Sequence, residues 1–412
     1  MRQESCDVLI IGAGPSGSVA AGLLRRAGRG VTILEKEAFP RFIIGESLLP
    51  QSMEFIEAAG MLQDVVEAGF QFKCGAAFAC GDKRAKVDFR NKFTEGWGTT
   101  YQVQRGVFDK VLADAAVRMG ADLRYLHEVT AVDVAGEKPV VTVRGEGGET
   151  YQITGNFLLD ASGYGRVLPR LLDLECPSDL PVRQAIFTHI EDRIAQDPYA
   201  TFDRNCILIS VPPDETDVWF WLIPFSNGRS SFGVVGRREQ FDARENKEQL
   251  LDRVARTPNL AKLLRGAVWD TPVRNIIGYS ANVKALHGRN FALLGNTTEF
   301  LDPVFSSGVT IAFKSSDLAV KALLRQLAGE QVDWDQEYAK PLMVGVETFR
   351  AFVTSWYDKR LQDIIFYPDK SAEVEHMISS VLAGFAWDEK NPFVARPDRR
   401  LASVQAACEI GH

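Results

Sequence analysis

Ten residues near the start, Val8-Leu-Ile-Ile-Gly-Ala-Gly-Pro-Ser-Gly17, constrain the fold more than any other stretch. The apolar run Val8–Ile11 reads as a buried parallel strand, and Gly12, Gly14 and Gly17 follow at G-x-G-x-x-G spacing. A helix is predicted over Ser18–Arg26, then a second buried strand over Val31–Leu34 that ends at Glu35, with Lys36 next. Gly12 permits the tight turn, Gly14 lets the backbone approach a pyrophosphate, and Gly17 allows close packing of helix on strand. With Pro15 and Ser16 between them, the phosphates would meet free backbone N–H groups and the positive end of the helix dipole. Glu35 stands where a carboxylate accepts hydrogen bonds from ribose hydroxyls. The strand–turn–helix–strand context separates a dinucleotide site from an ordinary glycine turn, but does not separate FAD from NAD.

The chain has 412 residues, enough for a sizeable core and two closely connected domains. Its composition, 46% hydrophobic and 25% charged, is that of an ordinary globular protein. A net charge of −7 leaves no broad basic face, which argues against nucleic acid as a partner. No apolar run approaches the roughly 20 residues of a transmembrane segment. The fold begins almost at the N-terminus, leaving no room for a signal peptide, and a cytoplasmic location is expected. The six cysteines (Cys6, Cys74, Cys80, Cys176, Cys206, Cys408) show no C-x-x-C pairing and read as reduced thiols. Neither they nor the five histidines form a ligand pattern, so no metal site is expected.

Pro40 and Gly45 mark Phe39–Pro50 as a loop, with a helix expected from near Pro50 to about Gly60. Arg41 and the Gly45-Glu46-Ser47 triplet either line a cofactor from this loop or lie at the surface. Phe70–Phe89 reads as a strand or hairpin turning at Gly81-Asp82. Lys73 lies inside it among aromatic and small residues, and such a lysine ordinarily snorkels to solvent. Thr99–Val103 reads as a strand, followed by Arg105 and a helix through Met119. Further strands are expected near Asp122–Tyr125, Glu128–Val134, Val140–Val143 and Tyr151–Ile153. Phe157-Leu-Leu-Asp-Ala-Ser-Gly163 is a buried strand ending in a polar turn. Open α/β sheets present ligand-facing groups at such ends, although Asp160 and Ser162 equally suit a strand cap.

From Val182 to Tyr279 the pattern is β-rich, interrupted by a helix near Lys247–Arg265. A hairpin turning at Gly228 puts Trp219, Trp221 and Ile223 on one face, a stripe that taken alone is core. Asn290–Gly295 is a strand that returns to the nucleotide-binding part. The helix after it, Val309–Leu327, makes Ser306–Gly308 a second candidate anion site. Residues 331–387 read as mostly helical, and the charged tail after Pro392 as loosely ordered.

These pieces, in this order, resemble the FAD-dependent aromatic-hydroxylase-like flavoproteins, and within them the flavin-dependent halogenases. Three signatures stand intact: Gly12-x-Gly14-x-x-Gly17; W-x-W-x-I-P as Trp219, Trp221, Ile223 and Pro224; and F-x-x-P-x-x-S-x-G as Phe300, Pro303, Ser306 and Gly308. The second and third are far more specific than the first, and the resemblance covers roughly residues 5–330. It implies an α/β fold with an FAD-binding Rossmann-like domain (1–70, 99–180 and 280–330). Interleaved with this is a mixed or antiparallel β-sheet substrate domain (71–98 and 181–279), and a mostly helical C-terminal region (331–412) follows.

By the same resemblance Lys73, in its Lys-x-Gly-Ala-x-Phe setting, matches the lysine used between flavin and substrate. Lys73, Trp219 and Trp221 thereby become catalytic candidates. Arg105 and Asp160 match FAD-contacting positions. The expected cofactor site adds the turn residues Gly12, Gly14, Pro15, Ser16 and Gly17, then Glu35, Lys36, Arg41, Ser47, Asn296, Pro303 and Gly308. Halide is expected at Ser307 and Gly308. Two departures stand out. Asn296 occupies a place where the wider group usually carries aspartate, and an amide still accepts a hydrogen bond while adding donors. Phe305 stands where tryptophan-acting members have an acidic residue, so this chain looks more like members acting on phenols or pyrroles.

The resemblance implies that a separate flavin reductase supplies reduced FAD, and that reduced FAD, O2 and halide yield hypohalous acid, which passes through the interior to Lys73. The lysine either donates a hydrogen bond to it as ammonium or carries the halogen as a haloamine, and both roles need a partly desolvated amine of lowered pKa. Trp219 and Trp221 would wall the substrate off from the flavin. The substrate class is an electron-rich aromatic, phenol- or pyrrole-like, and the chain's compactness after the last motif suits a large or carrier-protein-bound one. The alternative is a flavoprotein that does not halogenate: a monooxygenase, or a reductase resembling the geranylgeranyl reductases.

Overall fold

The computed structural model describes residues 2–196 and 202–410, so residues 197–201 of the expected β-rich stretch lie outside the described residues. Two seven-stranded sheets organise the chain. The first runs Asp122–Tyr125, Val31–Glu35, Arg2–Ile11, Thr150–Asp160, Val140–Arg144, Glu128–Asp133, with Phe291–Leu293 added to Thr150–Asp160. Its pairs are parallel around Arg2–Ile11 and Phe291–Leu293 and antiparallel from Val140–Arg144 outward. Val8, Leu9 and Ile10 are wholly buried, as a strand covered on both faces requires. The register aligns Ile11, Asp160 and Leu293, so three strands end together and the turns after them converge at one edge. Ligands of open α/β sheets bind at such an edge. Packed together near it are the helices Pro15–Arg26, Arg105–Arg118 and Ser307–Leu327.

The second sheet runs Arg274–Ile277, Arg183–Glu191, Arg229–Arg237, Trp219–Pro224, Cys206–Val211, Gly75–Cys80, Lys83–Asp88. It is antiparallel except where Cys206–Val211 meets Gly75–Cys80. Strand alternation does what the pattern predicts: Trp219, Trp221 and Ile223 join the main core, while Phe220 and Leu222 join a second cluster. That second cluster also takes in Leu250 and Leu260 from the two helices behind the sheet.

Three local expectations are corrected. The strands expected at Tyr151 and Phe157 are one strand, Thr150–Asp160, because Gly155 marks a close approach to Leu9 rather than a break. The helix expected over Lys247–Arg265 is two, Asn246–Ala255 and Pro258–Leu263, since Pro258 lacks the N–H needed to continue the first and starts the second. The tail is ordered as helices Pro392–Ala395 and Pro397–Ile410. Asn391 caps the first through Phe393 N–H, and Leu401, Val404 and Cys408 form a buried helical stripe, while Arg396, Asp398 and Arg399 face outward. Among the described residues no helix is long and apolar enough to cross a membrane.

Candidate active site

The glycine turn is built for contact. Gly12 has φ +93, and a Cβ there would sit 2.6 Å from the Ala161 carbonyl oxygen. A Cβ on Gly17 would meet the Gly12 carbonyl oxygen at 2.0 Å, whereas on Gly14 it would find only an Arg41 nitrogen at 3.7 Å. Gly14 therefore opens outward, and no side chain caps the helix that follows it. Glu35 is buried; its Oε2 accepts from Ala13 N–H at 2.9 Å and its Oε1 from Glu37 N–H at 3.0 Å. These bonds fix the carboxylate beside the turn.

A cavity of about 380 Å³ opens from this turn. Gly12, Gly14, Pro15 and Ser16 line it, as do Glu35, Lys36, Arg41, Ser47 and Arg105. Trp219, Trp221, Asn296, Pro303 and Gly308 line it too. The cationic groups are held by Asp109, which receives Arg105 through two bonds of 2.7 and 3.1 Å and Arg41 at 3.1 Å. FAD fits these residues. The uncapped helix end and open glycine face suit its diphosphate, Glu35 its ribose, and the aromatic and glycine-lined remainder its ring system.

Four expected residues do not line the cavity: Gly17, Asp160, Ser307 and Lys73. Gly17 serves turn packing. Asp160 acts as a strand cap, its oxygens accepting from Ser162 N–H at 2.9 Å and Leu168 N–H at 2.7 Å. Full burial raises its pKa, and those N–H bonds oppose the rise. Ser307 is turned inward, because Ser306 before it takes a left-handed conformation with φ 57, leaving Ser306 and Gly308 to face the cavity. No side chain caps the Ser307–Leu327 helix, so its first N–H groups are open.

Lys73 does not snorkel; it has no solvent exposure. Its Nζ donates to Ser47 Oγ and to the Leu48 carbonyl, each at 2.7 Å, and lies 5.2 Å from the Phe89 ring centre. No carboxylate pairs with it among the described residues. Burial lowers its pKa to about 7, slightly countered by the nearby Cys206 and Cys74 thiols. The amine is thus one residue behind the cavity wall, with Ser47 between.

The tryptophans stand with ring centres 5.8 Å apart. Trp221 Nε1 donates to Ser231 Oγ at 3.0 Å, and Gly233, paired opposite, leaves room for its indole. Trp219 Nε1 donates to Tyr357 Oη at 2.8 Å. Phe305 is buried, does not line the cavity, and touches Trp356 and Phe352.

Sequence reasoning missed several partners. Asp109 was detectable as the i,i+4 partner of Arg105. Glu46, from the Gly45-Glu46-Ser47 triplet, does line the cavity, but nothing in the sequence signals that it meets His189 Nε2 at 2.8 Å across 143 positions. Nor does spacing reveal that Cys74, Asp203 and Cys206 bring potential ligand atoms within 4.8 Å of one another. All six cysteines are free.

Fold and cavity define an FAD-dependent oxidoreductase. Residues 5–277 match the family model described as FAD binding domain. A 1H-pyrrole-2-carbonyl-[peptidyl-carrier protein] chlorinase of Pseudomonas fluorescens is 27% identical over 90% of this chain and 87% of its own. The structure of the flavin-dependent brominase Bmp2 superimposes with a TM-score of 0.82 at 26% identity, covering 97% of this chain and 98% of that one. A flavoprotein/dehydrogenase from Cytophaga hutchinsonii is 41% identical, with a TM-score of 0.93 over 99% of this chain and all of its own. The chain belongs to the FAD binding domain family and is similar, over nearly its whole length, to flavin-dependent halogenases.

Proposed function

We propose that the protein halogenates an electron-rich aromatic, phenol- or pyrrole-like, from reduced FAD, O2 and halide. The observation that carries this reading is Lys73: a fully buried amine, without a counter-ion among the described residues, hydrogen-bonded to a residue of the cavity wall. Such a lysine is costly to keep, and a structural role would be served better by an apolar side chain. Bound, the reduced cofactor would supply two electrons to O2 and the halide two more, giving hypohalous acid and water. The turn and the N-terminus of Pro15–Arg26 hold the diphosphate, and Glu35 orients the ribose. The open N–H groups at Ser307–Gly308 attract halide. Trp219 and Trp221 exclude water and the aromatic substrate from the cofactor. The path to the amine runs past Ser47. There the Lys73 ammonium polarises hypohalous acid, or the free amine takes its halogen and releases water. A separate flavin reductase supplies the reduced cofactor, and the reaction belongs to the cytoplasm. The carrier-bound substrate named for the pyrrole chlorinase supports a tethered aromatic as one form of substrate here.

A second reading, an FAD enzyme that reduces or oxygenates without halogenating, draws on the likeness to the flavoprotein/dehydrogenase. One assay separates them. With reduced FAD, O2, bromide and a reactive phenol, mass spectrometry finds brominated phenol under the first reading. An oxygenated product, or alkene reduction without O2, supports the second.

A further inference from the structure

We infer that Tyr357 is a positioning residue that locks the tryptophan wall from outside the cavity. Among the described residues, none beyond Ala312 lines the cavity, so the C-terminal helices touch the site only from behind. Tyr357, the last residue of the helix Lys340–Tyr357, makes one such contact. Its hydroxyl accepts the Trp219 indole N–H at 2.8 Å and donates to Asp302 Oδ2 at 3.0 Å. Asp302 is buried, receives Tyr279 Oη at 3.0 Å on the same oxygen, and accepts Val304 N–H at 3.0 Å on the other. That last bond caps the Pro303–Phe305 turn, whose Pro303 and Val304 line the cavity. The Arg183 guanidinium, held by Asp217 at 2.7 Å, lies over the Tyr357 ring with its carbon 3.3 Å from the ring centre.

One continuous hydrogen-bonded chain thus runs from wall to turn, Trp219, Tyr357, Asp302, Val304, buried at every link but the half-buried Tyr357. Buried polar chains of this kind hold one geometry because each unmade bond is costly. Removing the Tyr357 hydroxyl leaves the Trp219 N–H unpaired and lets the indole turn, while the ring still packs under Arg183. The wall then admits water to the reduced cofactor. This role rests on the proposed use of Trp219 as a barrier, but its test does not require halogenation.

The test compares wild type with Tyr357→Phe, and uses Trp219→Phe to assign the Trp219 indole N–H resonance in the cofactor-free protein. Unchanged resonances from the other tryptophans show that the fold is kept. Tyr357→Phe is expected to shift the Trp219 signal and speed its hydrogen exchange about fivefold. In a second measurement, protein loaded anaerobically with reduced FAD is mixed with O2 without halide. Peroxide release is expected to rise about fivefold as well. An unmoved Trp219 signal overturns the proposal, and so does a moved signal with unchanged peroxide release. Absence of brominated product from wild type would instead count against the halogenase reading alone.

Discussion

Lys73 Nζ and Ser47 Oγ stand 2.7 Å apart, which places an amine with no solvent exposure one hydrogen bond from the wall of the cofactor cavity. The amine is desolvated and next to the cavity wall, yet not open to the cavity itself. Ser47 is therefore both its anchor and its screen.

The first expectation concerns stability. Burial lowers the Lys73 pKa from 10.5 to about 7. Below about pH 7 the lysine is charged in both folded and unfolded chains, and the folded state bears the full cost of the buried charge. Between about 7 and 10.5 the unfolded chain binds the extra proton, so this contribution makes stability rise with pH. Lys73→Met should stabilise the protein at pH 6, by up to a few kcal/mol, and the difference should shrink or reverse by pH 10. Denaturant titrations at both pH values measure it; a pH-independent difference would contradict the lowered pKa.

Ser47→Ala should keep the fold, since Lys73 retains its bond to the Leu48 carbonyl. It removes the screen and one partner of the amine, and product per reduced FAD should fall several-fold. Product quantified against O2 consumed tests this, and an unchanged yield would place the oxidant's path elsewhere.

Most of the architecture was legible because it follows from local pattern. The G-x-G-x-x-G turn, the alternating Trp219, Trp221 and Ile223, and the helix after Ser306 each obey a fixed period or spacing. What stayed hidden depends on long-range geometry. Lysine on a strand ordinarily reaches solvent, and long-range packing, with Ser47 and Leu48 on one side and Phe89 nearby, makes Lys73 internal. Asp160 looked equally suited to cofactor or cap until its oxygens were seen on Ser162 and Leu168. Charge in the tail masked a stripe at Leu401, Val404 and Cys408 that only a helix reveals. The Glu46–His189 and Trp219–Tyr357 pairs join positions far apart in the chain.

Trp221→Ala should open the wall. Loss of a buried indole costs about 3–5 kcal/mol, so the protein should melt earlier. At a temperature where it remains folded, peroxide released per O2 consumed should rise. Unchanged coupling would remove the barrier role.

Gly17→Ala should abolish the cofactor site, because its Cβ would lie 2.0 Å from the Gly12 carbonyl oxygen. Purified variant should carry little FAD and lose roughly 2–4 kcal/mol of stability. Normal flavin content would show that the turn can open without loss.

The most direct measurement is bromide incorporation by Lys73→Met beside wild type, with reduced FAD, O2 and a reactive phenol supplied to both. The account predicts brominated product from wild type and a loss of at least about a hundredfold in the variant, which still binds FAD and still consumes O2. Undiminished product from the variant, or none from wild type, would contradict it.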